Sequence, residues 1–257
     1  MADATLRIFR GDSKGGATAD YRVPVGPGMV VLDALHYVQA HHAPDLAVRW
    51  NCKAGKCGSC SAEVNGRPRL TCKTRMDSLP LSEPVTIVPL KSFPVIKDLV
   101  TDVSWNYKVN RTIPPFRPRP GVEWKYSQED ADRVQEFRKC IECFLCQNVC
   151  HVLREHRLHE QFGGPRFFVR VAGLEMHPLD GANRAAMLRA ELGIGLCNIT
   201  KCCTEVCPEE IHITDNAIIP LKERVVDQYY DPLVRIARAI FGSKTGEESV
   251  SQGKEVP

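Results

Sequence analysis

Cys140, Cys143, Cys146 and Cys150 form a Cys-x2-Cys-x2-Cys-x3-Cys run, and Cys197, Cys203 and Cys207-Pro208 follow further along the chain. The chemistry this spacing supports is iron-sulfur ligation, in which three thiolates on one tight turn hold three corners of a cube and the fourth serves a second cluster. One such run implies a partner run, and here it ends at Cys207. Counting back from Cys207 by the same rule reaches Cys203, then position 200, then Cys197, and position 200 is Thr200. Crossed ligation assigns Cys140, Cys143, Cys146 and Cys207 to one set, and Cys150, Cys197 and Cys203 to the other. Four soft ligands suit a 4Fe-4S cube, whereas three leave one iron without a thiolate and point to a 3Fe-4S cluster.

A third constellation precedes these. Cys52-x4-Cys57-x2-Cys60, with Cys72 beyond it, has the plant-type 2Fe-2S spacing, three thiolates from one loop and the fourth from a separate segment. The stretch from Ala54 to Cys60 is small and Gly-rich, as a loop must be if its backbone N–H groups are to approach sulfides closely. The competing readings are structural zinc or buried thiols acting as small hydrophobes. Zinc sites are usually built from separated pairs, and the run from Cys140 to Cys150 puts too many thiolates on one turn for a single tetrahedral ion. Cys202 is out of register with all three motifs and reads as a buried thiol, with competition against Cys203 as the alternative.

The elements that must position these ligands are legible in part. Thr5 to Arg10 and Tyr21 to Val25 read as a hairpin across a Gly-rich turn, and Val31, Leu35 and Val38 mark a helix to about His42. Ser61 to Val64, a turn at Asn65-Gly66, and Arg69 to Cys72 form a second hairpin that delivers Cys72, and Val85 to Leu90 closes the sheet. Strand, strand, helix, then metal loop is the order of a β-grasp ferredoxin. Ile96 to Val103 reads as a short helix, with a domain boundary near residue 106 and a proline-rich connector from Arg111 to Pro120. Ser127 and Asp130 resemble a capping box opening a helix from Gln128 into Cys140. The polar run after Cys150 reads as helical, as does Asn183 to Leu192. The stripe Ile218, Leu221, Val225, Tyr229, Leu233, Ile236, Ile240 marks a final helix kinked or split by Pro220 and Pro232. His36, His41, His42, His156 and His159 read as solvated, while His151 is a candidate for hydrogen bonding to a cluster or redox partner. The expectation is therefore an α+β chain: a 2Fe-2S domain over residues 1–105, an all-α 4Fe-4S/3Fe-4S domain over 106–242, and a polar tail over 243–257.

With 257 residues, 43% of them hydrophobic and 25% charged, and a net charge of +3, the chain has no compositional reason to be disordered or to bind nucleic acid. Twelve cysteines behind an N-terminus that carries charges where a secretory signal would have an apolar core point to metal ligation in a reducing compartment over disulfides. No apolar run approaches the roughly 18 residues of a membrane span. No Gly-x-Gly-x-x-Gly fingerprint is present to cradle a flavin or nicotinamide.

Taken with Val31-Leu32-Asp33-Ala34-Leu35, Cys57-Gly58-Ser59-Cys60, Asn65-Gly66, Leu70-Thr71-Cys72, Cys140-Ile141-Glu142-Cys143 and Cys207-Pro208, the three motifs in this order resemble the iron-sulfur subunit of succinate dehydrogenase and fumarate reductase over residues 5–240. The resemblance implies a non-catalytic electron-transfer subunit docked between an FAD-bearing flavoprotein subunit and a membrane anchor, peripheral on the cytoplasmic face of the inner or plasma membrane. Electrons would pass through 2Fe-2S, 4Fe-4S and 3Fe-4S clusters to quinone or another acceptor. The chain departs from the family at the electron exit. His151 and Val152 replace Pro and Ser, Glu155 stands where a quinone-binding Trp is common, and Asn198 replaces a His. A charged Glu155 is a poor wall for an apolar quinone headgroup, so the expected acceptor is a haem or further cluster in the anchor, or quinone held mainly by the anchor. Fumarate reduction with a quinol or thiol donor, a free-standing polyferredoxin, and a metal-stabilised scaffold without redox work are the alternatives.

Overall fold

The computed structural model describes residues 2–234 and 236. Its N-terminal half is organised by one sheet. β1 (Ala2–Asp12) and β2 (Gly15–Val25) pair antiparallel along their whole length, so alternation buries Leu6, Ile8, Val23 and Val25 on one face. α1 (Val31–His41) lays Val31, Leu35 and Val38 against that face. β3 (Ser61–Val64) and β4 (Arg67–Leu70) form the expected second hairpin, and β5 (Val85–Val88) lies parallel to β1. Asn65 and Gly66 take φ of 48° and 75°, the left-handed pair that a tight hairpin turn needs. The sheet order is β4-β3-β5-β1-β6-β7, with β2 on β1, and Pro68 is tolerated because β4 is an edge.

The segment expected as a helix between Ile96 and Val103 is instead a small hairpin, β6 (Val95–Lys97) and β7 (Val100–Thr101). Tertiary pairing decides this, since β1 offers an edge to Lys97, and the buried Asp98 carboxylate at the turn accepts from the N–H groups of Gly11 (3.0 Å) and Ala47 (2.9 Å). The helix comes afterwards as α2 (Ser104–Thr112), so residue 106 lies inside it.

The C-terminal half is helical. α3 (Gln128–Arg138) starts where the capping residues place it, with the Ser127 hydroxyl accepting from the Asp130 N–H. Only α4 (Leu145–Val149) and α5 (His151–Arg154) are helical around Cys150, and the polar run beyond turns away at Arg157, φ 56°. At the centre of the half is α6 (Pro165–Glu175), which buries Phe167, Phe168, Val169, Val171, Ala172 and Leu174. The Gly163-Gly164 pair and the β-branched and aromatic content conceal it in the sequence, although Pro165 occupies the first turn where a missing N–H has no cost. α7 (Ala185–Ala190) and α8 (Cys202–Glu205) are short.

A π-helical turn, Ile213–Ile218, runs into α9 (Ile219–Tyr229), and Pro220 sits in the first turn of α9, so it starts that helix and does not kink it. The break expected at Pro232 falls just before it, at Tyr230 and Asp231. Ile218, Leu221 and Val225 of the stripe are buried, but Leu233 and Ile236 are exposed. Ile240 and the 243–257 tail lie outside the described residues. Among those described, no helix is long and apolar enough to cross a membrane.

Candidate iron-sulfur sites

The first loop folds its backbone around sulfur. Lys53, Gly55 and Gly58 take positive φ, which turns successive N–H groups inward, and the Sγ of Cys52 accepts from Ala54 N–H (3.4 Å) and Lys56 N–H (3.3 Å). Cys57 Sγ accepts from the Cys52 N–H at 3.5 Å. The segment after β4 brings in Cys72: the Thr71 N–H and hydroxyl both donate to the Cys60 carbonyl, at 3.0 and 3.1 Å, and Cys60 and Cys72 are buried in one cluster. Sequence spacing thus brings together all members of this set.

The second loop has the same construction without glycine. Glu142 (φ 55°) and Phe144 (φ 59°) are left-handed, a conformation that costs a non-glycine residue ~1–3 kcal/mol and that recurs at functional sites. Between Cys140 at the end of α3 and Cys146 in α4, these turns point Cys140, Cys143 and Cys146 at one cavity, which Cys207 closes from the far segment. No three His, Cys, Asp or Glu side chains converge on a single point among the described residues; these four thiols surround a space. Ile199 (φ 61°) and Lys201 (φ 63°) repeat the device between Cys197 and Cys203. Cys146, Cys150 and Cys203 are buried in one core with Cys197 packed against it, and α4 lies on α8, so the two sets adjoin. Cys202, whose sulfur reaches the Val149 carbonyl, bears on the charges of Cys150 and Cys203 as Cys197 does.

Burial dominates the protonation of six of these thiols. It pushes Cys143 and Cys203 up to about 12 and Cys150 and Cys72 to about 11, and it raises Cys146 and Cys207, with neighbouring thiols adding to the effect. Burial also opposes ionisation of Cys57, but hydrogen bonds from Ser59 and the Cys52 N–H outweigh it and bring that thiol down to about 6. Buried sulfurs that repel one another as thiolates need a positively charged core among them, and an iron-sulfur cluster supplies one while displacing the thiol protons. The donor set therefore fits the clusters the spacing points to.

Where the first loop meets the second, the contact is backbone on backbone. A Cβ at Gly58 would stand 2.6 Å from the Ile141 carbonyl oxygen and 2.7 Å from the Cys143 Cα, so only glycine lets the first loop lie against the second. Ser61 Oγ donates to the Cys143 carbonyl at 2.8 Å. Beside it, the fully buried Glu63 accepts from Asn148 Nδ2 (2.8 Å) and Arg154 Nη1 (2.9 Å), with Lys91 Nζ at 3.3 Å. Lys56 reaches across to Glu209 at 3.1 Å.

Several expected surface groups have structural work. The His159 ring pairs with the Ser92 carbonyl at 2.9 Å and stacks edge-on against Trp105 at 4.8 Å, binding the halves together. His36 packs on Trp50 at 4.9 Å, and burial lowers its pKa. His41, His42 and His156 are exposed as expected. Cys202 is half-buried, with its sulfur 3.2 Å from the Thr200 hydroxyl and 3.7 Å from the Val149 carbonyl. Glu155 and Asn198 are exposed. The motifs give no hint of Glu63, Ser61 or Arg166; their importance comes from positions that only the assembled halves create.

A β-sheet unit and a helical unit, each folding loops around cysteine sulfur, define an iron-sulfur protein of two ferredoxin-type parts. Residues 5–108 match the family model of a 2Fe-2S iron-sulfur cluster binding domain, and residues 136–211 that of a 4Fe-4S dicluster domain. The fumarate reductase iron-sulfur subunit of Mycobacterium tuberculosis is 33% identical over 200 residues, 74% of this chain and 79% of the relative. A chain of the fumarate reductase (CoM/CoB) of Methanothermobacter marburgensis is 32% identical over 230 residues, 89% of this chain but 45% of the relative. An uncharacterised iron-sulfur protein of Methanococcus maripaludis is 31% identical over 221 residues, and there too the chain spans less than half, 42%, of the relative. Among solved structures, a chain of the Mycobacterium smegmatis Sdh1 complex in the apo form superposes with a TM-score of 0.87 at 62% identity, covering 90% of this chain and 98% of that one. The chain belongs to the family of succinate dehydrogenase and fumarate reductase iron-sulfur subunits.

Proposed function

We propose that this chain is the iron-sulfur subunit of a succinate dehydrogenase, with a 2Fe-2S cluster on Cys52, Cys57, Cys60 and Cys72, a 4Fe-4S cluster on Cys140, Cys143, Cys146 and Cys207, and a 3Fe-4S cluster on Cys150, Cys197 and Cys203. The observation that carries the proposal is contiguity: the first cysteine loop touches the second where Gly58 meets Cys143, and the second set adjoins the third because α4, which carries Cys146, packs on α8, which carries Cys203. Electron transfer through protein weakens steeply with distance, so redox groups set in such a row form a path. The clusters supply one-electron transfer; the chain contributes their ligands, their spacing and the polar groups around them.

In this reading an FAD-bearing flavoprotein docks at the first cluster and a membrane anchor at the third, on the cytoplasmic face of the membrane. Exposed apolar side chains support docking at the far end: Leu196 and Ile199 flank Cys197, and Val226, Tyr230, Leu233 and Ile236 are exposed in and beyond α9. Glu155 and Asn198 offer no apolar wall there, so electrons leave for a haem or cluster of the anchor, or for quinone held mainly by the anchor. Quinone density packed against Glu155 and Asn198 in the assembled complex would contradict this exit.

The test is low-temperature EPR of the intact assembly at stepped potentials, with iron and acid-labile sulfide analysis. Three paramagnets, one of them an oxidised three-iron signal, are expected; zinc without labile sulfide would overturn the reading. Steady-state rates with succinate, and with reduced quinol or thiol plus fumarate, decide direction. The names of the Mycobacterium tuberculosis and Methanothermobacter relatives favour keeping fumarate reduction as the second reading.

A further inference from the structure

Arg166 is a buried cation at the second set of thiols. It lies in the first turn of α6 and is 6% exposed. It walls the cavity formed by Cys140, Cys143, Cys146 and Cys207. Its Nη2 pairs with Glu142, the left-handed residue between the first two cysteines of the run. Its Nε is buried and has no hydrogen-bond partner among the described residues. A guanidinium donor left without an acceptor in such a place is costly unless a ligand completes it. Among the described residues the other charged side chain lining this cavity is Glu209, which is already paired with Lys56, while Glu142 meets Arg166 from a neighbouring cleft.

We propose that Arg166 tunes the middle cluster: its Nε donates to cluster sulfur, and its charge holds the reduction potential up. The inference rests on the reading that these four cysteines hold a 4Fe-4S cluster. Reduction adds one negative charge to the cluster, and a fixed cation in a poorly screened site stabilises the reduced state more than the oxidised one. Glu142 opposes this by neutralising part of the guanidinium field and fixing the side chain's orientation. The pair thus sets the potential as a balance, with Arg166 as the larger influence because it alone combines charge with a free donor on the cavity wall.

The experiment is an EPR redox titration of the full chain as purified with its clusters, for wild type, Arg166→Gln, Arg166→Lys and Glu142→Gln, each checked for iron and labile sulfide. In Arg166→Gln the ratio of reduced to oxidised four-iron cluster, read at the wild-type midpoint, should fall about tenfold, which for a one-electron couple is about 59 mV. Arg166→Lys, which keeps the charge but loses the planar fork, should fall between the two. Glu142→Gln should move the ratio the opposite way, and the two-iron signal should not move in the Arg166 variants, because Arg166 does not line the cleft that Glu142 shares with Cys57. A loaded Arg166→Gln cluster with an unshifted midpoint overturns the proposal. If Arg166→Gln does not load, Arg166→Lys decides: a midpoint below that of wild type upholds the proposal, and an unshifted or raised one overturns it. A merely structural arginine would alter loading or melting without these opposed shifts. Absence of any four-iron signal from wild type would instead sink the cluster reading itself.

Discussion

At the scale of single residues, Thr200 is where the two runs of cysteines differ. It occupies the register position that a complete second run gives to cysteine, and it is exposed beside Cys202. Replacing Thr200 with Cys gives the third set a fourth thiolate, so the oxidised three-iron EPR signal should disappear and a second reduced four-iron signal should replace it. Retention of the three-iron signal in a fully loaded variant would show that position 200 does not face the open corner. That the cysteines gather in sets was legible, because cluster chemistry demands cysteine at fixed spacing. The groups around them were not: Glu142 and Phe144 hold left-handed turns where sequence signals would ask for glycine, and Arg166 reaches the site from α6, whose presence a glycine pair conceals.

At the scale of elements, the contacts that align the two halves are individually testable. Gly58→Ala would add a Cβ into the Ile141 carbonyl on a backbone at φ 68°, so it must strain the loop and separate it from the Cys143 segment. A loss of about 2–3 kcal/mol is expected, seen as a lower melting temperature of the loaded protein. Glu63→Ala leaves Arg154 partly buried without its main carboxylate. Because Lys91 is half exposed and Arg154 keeps Glu155 at 3.2 Å, the expected cost is about 2–3 kcal/mol, below that of a fully buried pair, with urea unfolding as the measure. Glu136 ties α3 to the π-helical turn by accepting from the His212 N–H (2.7 Å) and Asn216 Nδ2 (2.5 Å). Burial works against its charge, but these hydrogen bonds prevail and hold its pKa below the usual 4.5. The folded value is the lower one, so this contribution is complete above the unfolded pKa and is lost as pH falls through the folded value. Glu136→Gln should therefore cost stability near neutrality and narrow its deficit against wild type below about pH 4; an equal deficit at both pH values, in paired melting curves, would contradict this.

At the scale of the whole molecule, the division into a sheet half and a helical half could be read from strand alternation and cysteine spacing, since both are local patterns. The β6–β7 hairpin could not, because its strand pairing is supplied by β1, distant in sequence, and neither could the interlock of Glu63 with α4 and α5. That interlock sets the cysteine loops of the two halves side by side, and the row of clusters proposed on them makes a directional prediction. Cys207 belongs to the middle set but comes from a different segment than its partners, so the double variant Cys140→Ala, Cys207→Ala leaves that set two thiolates, too few for a cube or a three-iron cluster, and leaves the ligands of the outer clusters untouched. In the assembled complex mixed with succinate and freeze-quenched, the two-iron cluster should still become reduced. The three-iron cluster should stay oxidised over the interval in which wild type reduces it, while dithionite still reduces it directly. Reduction of the three-iron cluster by succinate at the wild-type rate in that variant would mean that electrons bypass the middle position, and that the contiguity of the three thiol sets is packing and not a path.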